Sequence, residues 1–301
     1  MKQLVFFFFT VLVGLWTTDR IGGAAMGWAF CNSCDVLAPK LRYIENGIHE
    51  DIVFMGASRC HHHYVPQIIA DTLGMSVYNA GVGGANNIFS HYVLLCHILN
   101  KHKPKVICLE VMPTDYNLQV APFSSLSFFA PLFGKNDAAD SVYLIAGLYW
   151  KYKVSHLFRY NAKAPSILWG LVINRQLDGD KGYIPLPCPK QHSILIDHEI
   201  LQMEIDTLKL DYFKRFIGLC QRNNIKLVLT VSPKYTRVDS EHYVILKRLA
   251  EHYDIPFMDY HTEGLYLDHP EYFKDTTHLW DDGARHFSRL FAADLAHLLL
   301  R

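Results

Sequence analysis

The chain has 301 residues, half of them hydrophobic, with 29 basic and 29 acidic side chains and so no net charge. That balance gives no electrostatic ground for a nucleic-acid partner, since a phosphate-binding surface shows as a basic excess. The apolar share is ample for a large core, and the length suits one large α/β domain or two small ones.

In chain order, Lys2 precedes an apolar run over residues 4–16, broken only by Thr10 and Gly14 and ended by Thr17, Thr18, Asp19 and Arg20. The run is short for a spanning helix, which needs roughly 20 apolar residues, and suits a signal-peptide core. Residues 21–30 are again apolar apart from their glycines, and four consecutive phenylalanines at 6–9 would need cover on every side in a soluble fold. Residues 1–30 therefore read as an export segment. An uncleaved membrane anchor is favoured over a signal cut after Ala25, and residues 31–301 would face the periplasm or the cell exterior. Cys31 and Cys34 form a lone C-x-x-C with no second pair or nearby histidine, so neither zinc nor a redox role is expected. Cys60, Cys96, Cys108 and Cys220 lie in apolar surroundings and read as small hydrophobes.

Beyond this segment, short apolar runs alternate with helix-period stretches. Strands are expected at 52–55, 76–79, 106–111, 227–231 and 256–259, and helices at 65–73, 88–99, 200–223, 240–252 and 282–299. Strands apolar throughout and separated by helices indicate an α/β fold with a parallel sheet covered on both faces. The rhythm stops between 118 and 197, where aromatics gather (Phe123, Phe128, Phe129, Tyr149, Trp150, Tyr152, Trp169) and Pro185, Pro187 and Pro189 forbid regular structure. This stretch reads as a partly helical insertion after the third strand, lying over the carboxyl end of the sheet and offering aromatics for sugar stacking.

Open parallel sheets bind ligands outside the carboxyl ends of their strands, so the candidate chemistry is sought there. The first strand runs into Gly56-Ala57-Ser58-Arg59, which sets a serine hydroxyl at the start of a helix; taken alone, this is as well read as an N-cap. The second continues as Ala80-Gly81-Val82-Gly83-Gly84-Ala85-Asn86-Asn87, a glycine loop able to present backbone N–H groups. It carries neither the Walker nor the Rossmann pattern. Near the C-terminus Asp275 stands three residues before His278, a spacing at which a carboxylate fixes the imidazole tautomer. His61, His62 and His63 read as a solvent-exposed polar turn, not a metal site, because adjacent histidines diverge on a helix.

Together these blocks resemble the SGNH (GDSL-like) hydrolase superfamily, most of all its membrane-anchored or periplasmic bacterial members that act on, or help acylate, cell-envelope polymers. The resemblance implies a three-layer α/β/α, flavodoxin-like fold with a five-stranded parallel sheet. It implies Ser58 as nucleophile, His278 as general base and acid, Asp275 as its orienter, and the N–H groups of Ser58 and Gly84 as oxyanion donors. The implied reaction is ester hydrolysis or acyl transfer on O-acyl, chiefly O-acetyl, groups of a saccharide or envelope polymer, with no metal or other cofactor. A membrane-bound acyltransferase is a further implied partner. The chain departs from the family in its third block, where Thr114 stands in place of the usual asparagine and Asp115 is kept. Asn117, Asn86 and Asn87 are the candidate substitutes. Arg59 would either bind an anionic substrate group or pair with a carboxylate. The departure also leaves room for a catalytically weak or inactive envelope protein.

Overall fold

The computed structural model describes residues 1–118, 121, 123–172, 180–187, 194–199, 204–238, 243–262 and 264–300. Five strands form one all-parallel sheet: β1 (Ile52–Met55), β2 (Val77–Asn79), β3 (Val106–Glu110), β5 (Lys226–Val231) and β7 (Phe257–Asp259), in the order β2-β1-β3-β5-β7. α2 (Ala38–Gly47) precedes the first strand, α3 (Ser58–His63), α4 (Pro66–Leu73), α5 (Ile88–Leu99), α9 (Thr207–Arg222) and α10 (Val244–His252) come between the strands, and α11 (Asp281–Leu299) closes the chain. Helices on both faces of an all-parallel sheet make an α/β/α architecture.

The period of two along each strand explains the layering. Val53, Met55, Ile107, Leu109, Leu229 and Val231 point into one core, under α2, α5 and α9. Ile52, Phe54, Val106, Cys108 and Val228 point into the other, under α4 and α11. Both faces need apolar side chains, so the strands read as continuous hydrophobic runs. From Ile88 to Ile98 every residue of α5 is buried, since the sheet covers it on one side and the insertion on the other. Its N-terminus is fixed by Asn87, whose side chain accepts from Ser90 N–H. Asp206 caps α9 in the same way, accepting from the N–H groups of Leu208 and Lys209. The expected helix over 200–223 thus starts at Thr207, and residues 200–203 lie outside the described residues, as do 188–190 and 240–242.

The insertion contains α6 (Asp137–Ile145), α7 (Tyr149–Val154) and α8 (Ala164–Val172), and its last stretch leads to a two-stranded parallel sheet, β4 (Asp197–Glu199) with β6 (Thr236–Val238). Only part of it covers the carboxyl end of the large sheet. The 3₁₀ segment Leu126–Leu132 brings Phe128 over Gly84. Gly182 lies against the carbonyl of Asn79, where Lys40 Nζ donates to both carbonyls at 2.7 and 2.6 Å. The remainder packs sideways, with α6 on α5 and α8 on α1 (Lys2–Asn32), the long N-terminal helix. Phe129, Phe133, Tyr143 and Tyr152 are interior side chains of that bundle. Those four aromatics are core and not a stacking platform.

Candidate active site

The site begins with a turn that only glycine makes easily. Gly56 follows β1 with φ +152°, and a Cβ there would lie 2.8 Å from both Cys60 Cβ and Glu110 Cβ. The turn delivers Ser58 to the first position of α3 at the sheet's carboxyl end. From the opposite side, the loop before α11 is closed by a bridge between Phe273 and Leu279 and by the N–H of Lys274 donating to the His278 carbonyl. Within it, Asp275 Oδ1 accepts from the N–H groups of Thr277 and His278, both at 2.8 Å.

These two loops bring three side chains into one hydrogen-bonded row. Ser58 Oγ lies 2.9 Å from His278 Nε2, and His278 Nδ1 lies 3.0 Å from both carboxylate oxygens of Asp275. Because a carboxylate only accepts, Nδ1 carries the proton and Nε2 faces the serine as an acceptor. Partial burial works against the charged form of Asp275, but the Thr277 N–H and the His278 ring outweigh it and hold its carboxyl below the ordinary range. The imidazole is a quarter exposed, so the row opens to solvent.

The expected oxyanion donors are backbone N–H groups in the segments that follow β1 and β2. Among the described residues, neither the N–H of Ser58 nor that of Gly84 has a hydrogen-bond partner. Gly84 sits at φ +86°, and Phe128 occupies the place of a Cβ. Two of the three candidate asparagines, Asn87 and Asn117, are buried. Asn87 caps α5 and donates to Ser125 Oγ at 2.7 Å. Asn117 is 1% exposed, bridges Ile205, and accepts Lys209 Nζ at its carbonyl. A residue so enclosed has no face open to an ester, which corrects the expectation that Asn117 serves as oxyanion donor. The side chain of Thr114 lies outside the described residues, and Asn86 is exposed.

Of the two roles expected for Arg59, the structure shows the pairing with a carboxylate and not the substrate contact. The side chain is 1% exposed, pairs with Glu110 at 3.0 Å, and donates to the carbonyls of Val111 and Ser232. Pointing inward, it braces the ends of β3 and β5 and reaches no substrate. Burial pushes Glu110 above its usual value, although the Arg59 guanidinium, the Tyr64 hydroxyl and Ser232 all favour its charged form.

The three histidines form no exposed turn. His61 and His63 are buried, and His61 stacks on His62 at 4.6 Å between ring centroids. His63 accepts from the N–H of Leu279 at Nε2 (3.0 Å), so its Nδ1 donates to Ser232 Oγ (2.8 Å), which donates in turn to Glu110 (2.9 Å). The loop carrying His278 is thereby tied to α3 and to the ends of β3 and β5. His62 Nδ1 donates to the Ile184 carbonyl, and its ring stands 6.0 Å from that of His278. Burial pushes His62 down to about 4 and holds His61 and His63 well below the usual histidine value, so all three are neutral at pH 7. Sequence reasoning missed this support. Its signals were a glutamate closing the apolar run of β3 and a serine directly after β5.

No family model matches the chain, and neither does any curated protein. Solved structures similar to the chain include two with low identity. One is a candidate acylhydrolase from Bacteroides fragilis, 13% identical over 85% of this chain and 96% of that one, with a TM-score of 0.38. The other is an acetyl xylan esterase, 15% identical over 82% of this chain and 99% of that one, with a TM-score of 0.40.

Proposed function

We propose that this chain is a serine-dependent acyl-ester hydrolase or acyltransferase of the SGNH type, acting on O-acetyl groups of a saccharide or envelope polymer from a membrane-anchored position outside the cytoplasm. The observation that carries the reading is the row Ser58–His278–Asp275 at the carboxyl end of the sheet, with hydrogen-bond distances of 2.9 and 3.0 Å. In the reaction Ser58 Oγ attacks the ester carbonyl while its proton passes to His278 Nε2. Asp275 stabilises the imidazolium without taking the proton. The N–H groups of Ser58 and Gly84 receive the developing oxyanion. Collapse releases the alcohol, which takes the proton from His278 and leaves an acyl-Ser58. Water or a sugar hydroxyl then attacks the acyl carbon, with the same histidine as base.

The anchor reading is supported by α1, which is long and apolar enough to cross a membrane. Its second half buries Gly23, Ala29 and Phe30 against the domain, contacts that cleavage after Ala25 would partly remove. A second reading is a catalytically weak or inactive envelope protein that binds polymer or assists a membrane acyltransferase. The enclosure of Asn117 favours it, since losing one oxyanion donor typically costs ~10²–10³ in turnover. Release of acetate from an activated acetyl ester and from O-acetylated saccharides separates the two. The first reading expects turnover that Ser58→Ala abolishes; equal rates in wild type and Ser58→Ala leave only the second.

A further inference from the structure

A surface helix of a soluble domain is polar on its outer face, and α8 is not. From Ala164 to Val172 it carries no charged residue, and it buries Ile167 and Gly170 while Leu168, Trp169, Leu171 and Val172 stay exposed, Val172 to 78%. On α7 and the 3₁₀ turn after it, Trp150 is 66% and Val154 70% exposed and Phe158 is partly so, beside the basic Lys151, Lys153 and Arg159. These groups lie along one element. Asp19 on α1 accepts from the N–H groups of His156 and Leu157 at 2.8 and 3.2 Å and from the Ser155 hydroxyl, and Arg20 donates to the Val154 carbonyl. A Cβ on Gly23 would lie 2.5 Å from His156 Cβ, so the turn sits directly on the helix. At the other end of this segment the Cys34 N–H donates to the Gly170 carbonyl of α8. On the open side of α1 between them, Ile21 and Trp28 are exposed.

Length decides what covers this surface. Residues 2–18 of α1 stand clear of the domain and rise only about 25 Å, whereas a bilayer's hydrocarbon core is about 30 Å thick. A bilayer that holds α1 therefore extends past Asp19, to the level of Val154, Leu157 and Phe158. Cations stand where headgroups would lie. Lys153 Nζ is 5.3 Å from the Tyr149 ring and 5.9 Å from that of Trp150, and Arg20 is 5.4 Å from the Trp16 ring, the pairing of aromatic and basic groups found at membrane interfaces.

We propose that the insertion is a second membrane contact, a collar beside residues 19–23 of α1 formed by α7 and the turn Leu157–Tyr160, whose occupant is the lipid bilayer; α8, bonded to α1 at Cys34, lies about 22 Å further along the helix and outside the hydrocarbon. The collar rests on the reading of α1 as an anchor, and it holds the domain upright on the lipid surface instead of on a free tether. The test places the full chain in nanodiscs of phosphatidylcholine and phosphatidylglycerol, with and without brominated acyl chains. Comparison with Trp16→Phe isolates the emission of the anchor, and comparison with Trp150→Phe isolates that of the collar. Brominated lipid should remove most of both, and aqueous acrylamide little of either. Quenching of Trp16 alone, with Trp150 open to acrylamide, would overturn the collar and leave the anchor standing. Trp16 untouched by brominated lipid would overturn the anchor itself. Trp150 shielded from both quenchers in a cross-linkable dimer would assign the surface to a second copy, against the proposal.

Discussion

Ser58 and His278 are separated by 220 residues in sequence and by 2.9 Å in space, so if they act on one proton their contributions are not additive. Ser58→Ala, His278→Ala and the double variant should lose about the same activity toward an activated acetyl ester. Asp275→Asn should be milder, because it orients the imidazole and transfers no proton; kcat for the four proteins checks this. Arg59 shows where residue-level reading reached its limit. A charged residue beside a nucleophile is equally compatible with substrate and with structure, and only burial separates them. With Glu110 left alone at 1% exposure, Arg59→Met should destabilise the fold by about 3–5 kcal/mol, seen as a lower midpoint in denaturant. Asn117→Ala, by contrast, should leave kcat unchanged. The blocks carrying Ser58, Gly84 and Asp275–His278 were legible because local spacing dictates a turn or a capped imidazole. Glu110, His63 and Ser232 were not, since their partners come from different strands.

At the scale of elements, the five strands of the large sheet were legible to within a residue because cover on both faces makes each an apolar run, whereas β4 and β6 were not foreseen. The start of α9 was not, because its cap depends on Asp206 and the chain before it is irregular. The first turns of α3 were misread for a tertiary reason: α11 and the loop before it cover histidines that the sequence alone leaves open. This burial has a consequence for pH. In the unfolded chain His62 titrates near 6.5, and in the fold near 4, so between these values the unfolded state binds the extra proton. Stability is therefore full above 6.5 and falls as the pH drops through that window, and His61 and His63 act in the same direction. Each such proton changes stability by about 1.4 kcal/mol per pH unit. Thermal unfolding between pH 7 and 5 should show the slope, and His62→Asn should reduce it by one proton. His63 also holds Leu279, the neighbour of His278. His63→Phe should thus lower kcat on the order of 10², the cost of a small misplacement, with KM little changed.

For the whole molecule, composition pointed to a large core and an apolar N-terminus, and α1 carries both, spanning from an exposed apolar run into the domain. What the sequence concealed is how the insertion divides its work. Phe128 and residues 180–186 close over the sheet's carboxyl end, while α7 and α8 turn an apolar surface outward beside α1. An aromatic-rich stretch reads alike in either place, because only the tertiary fold decides which rings are covered. The most direct test of the central claim treats membranes bearing the full chain with a fluorophosphonate probe and weighs the intact protein. The account predicts one adduct, on Ser58, absent in Ser58→Ala and strongly slowed in His278→Ala. A wild-type chain that stays unlabelled, or a Ser58→Ala chain labelled as fast as wild type, would contradict it.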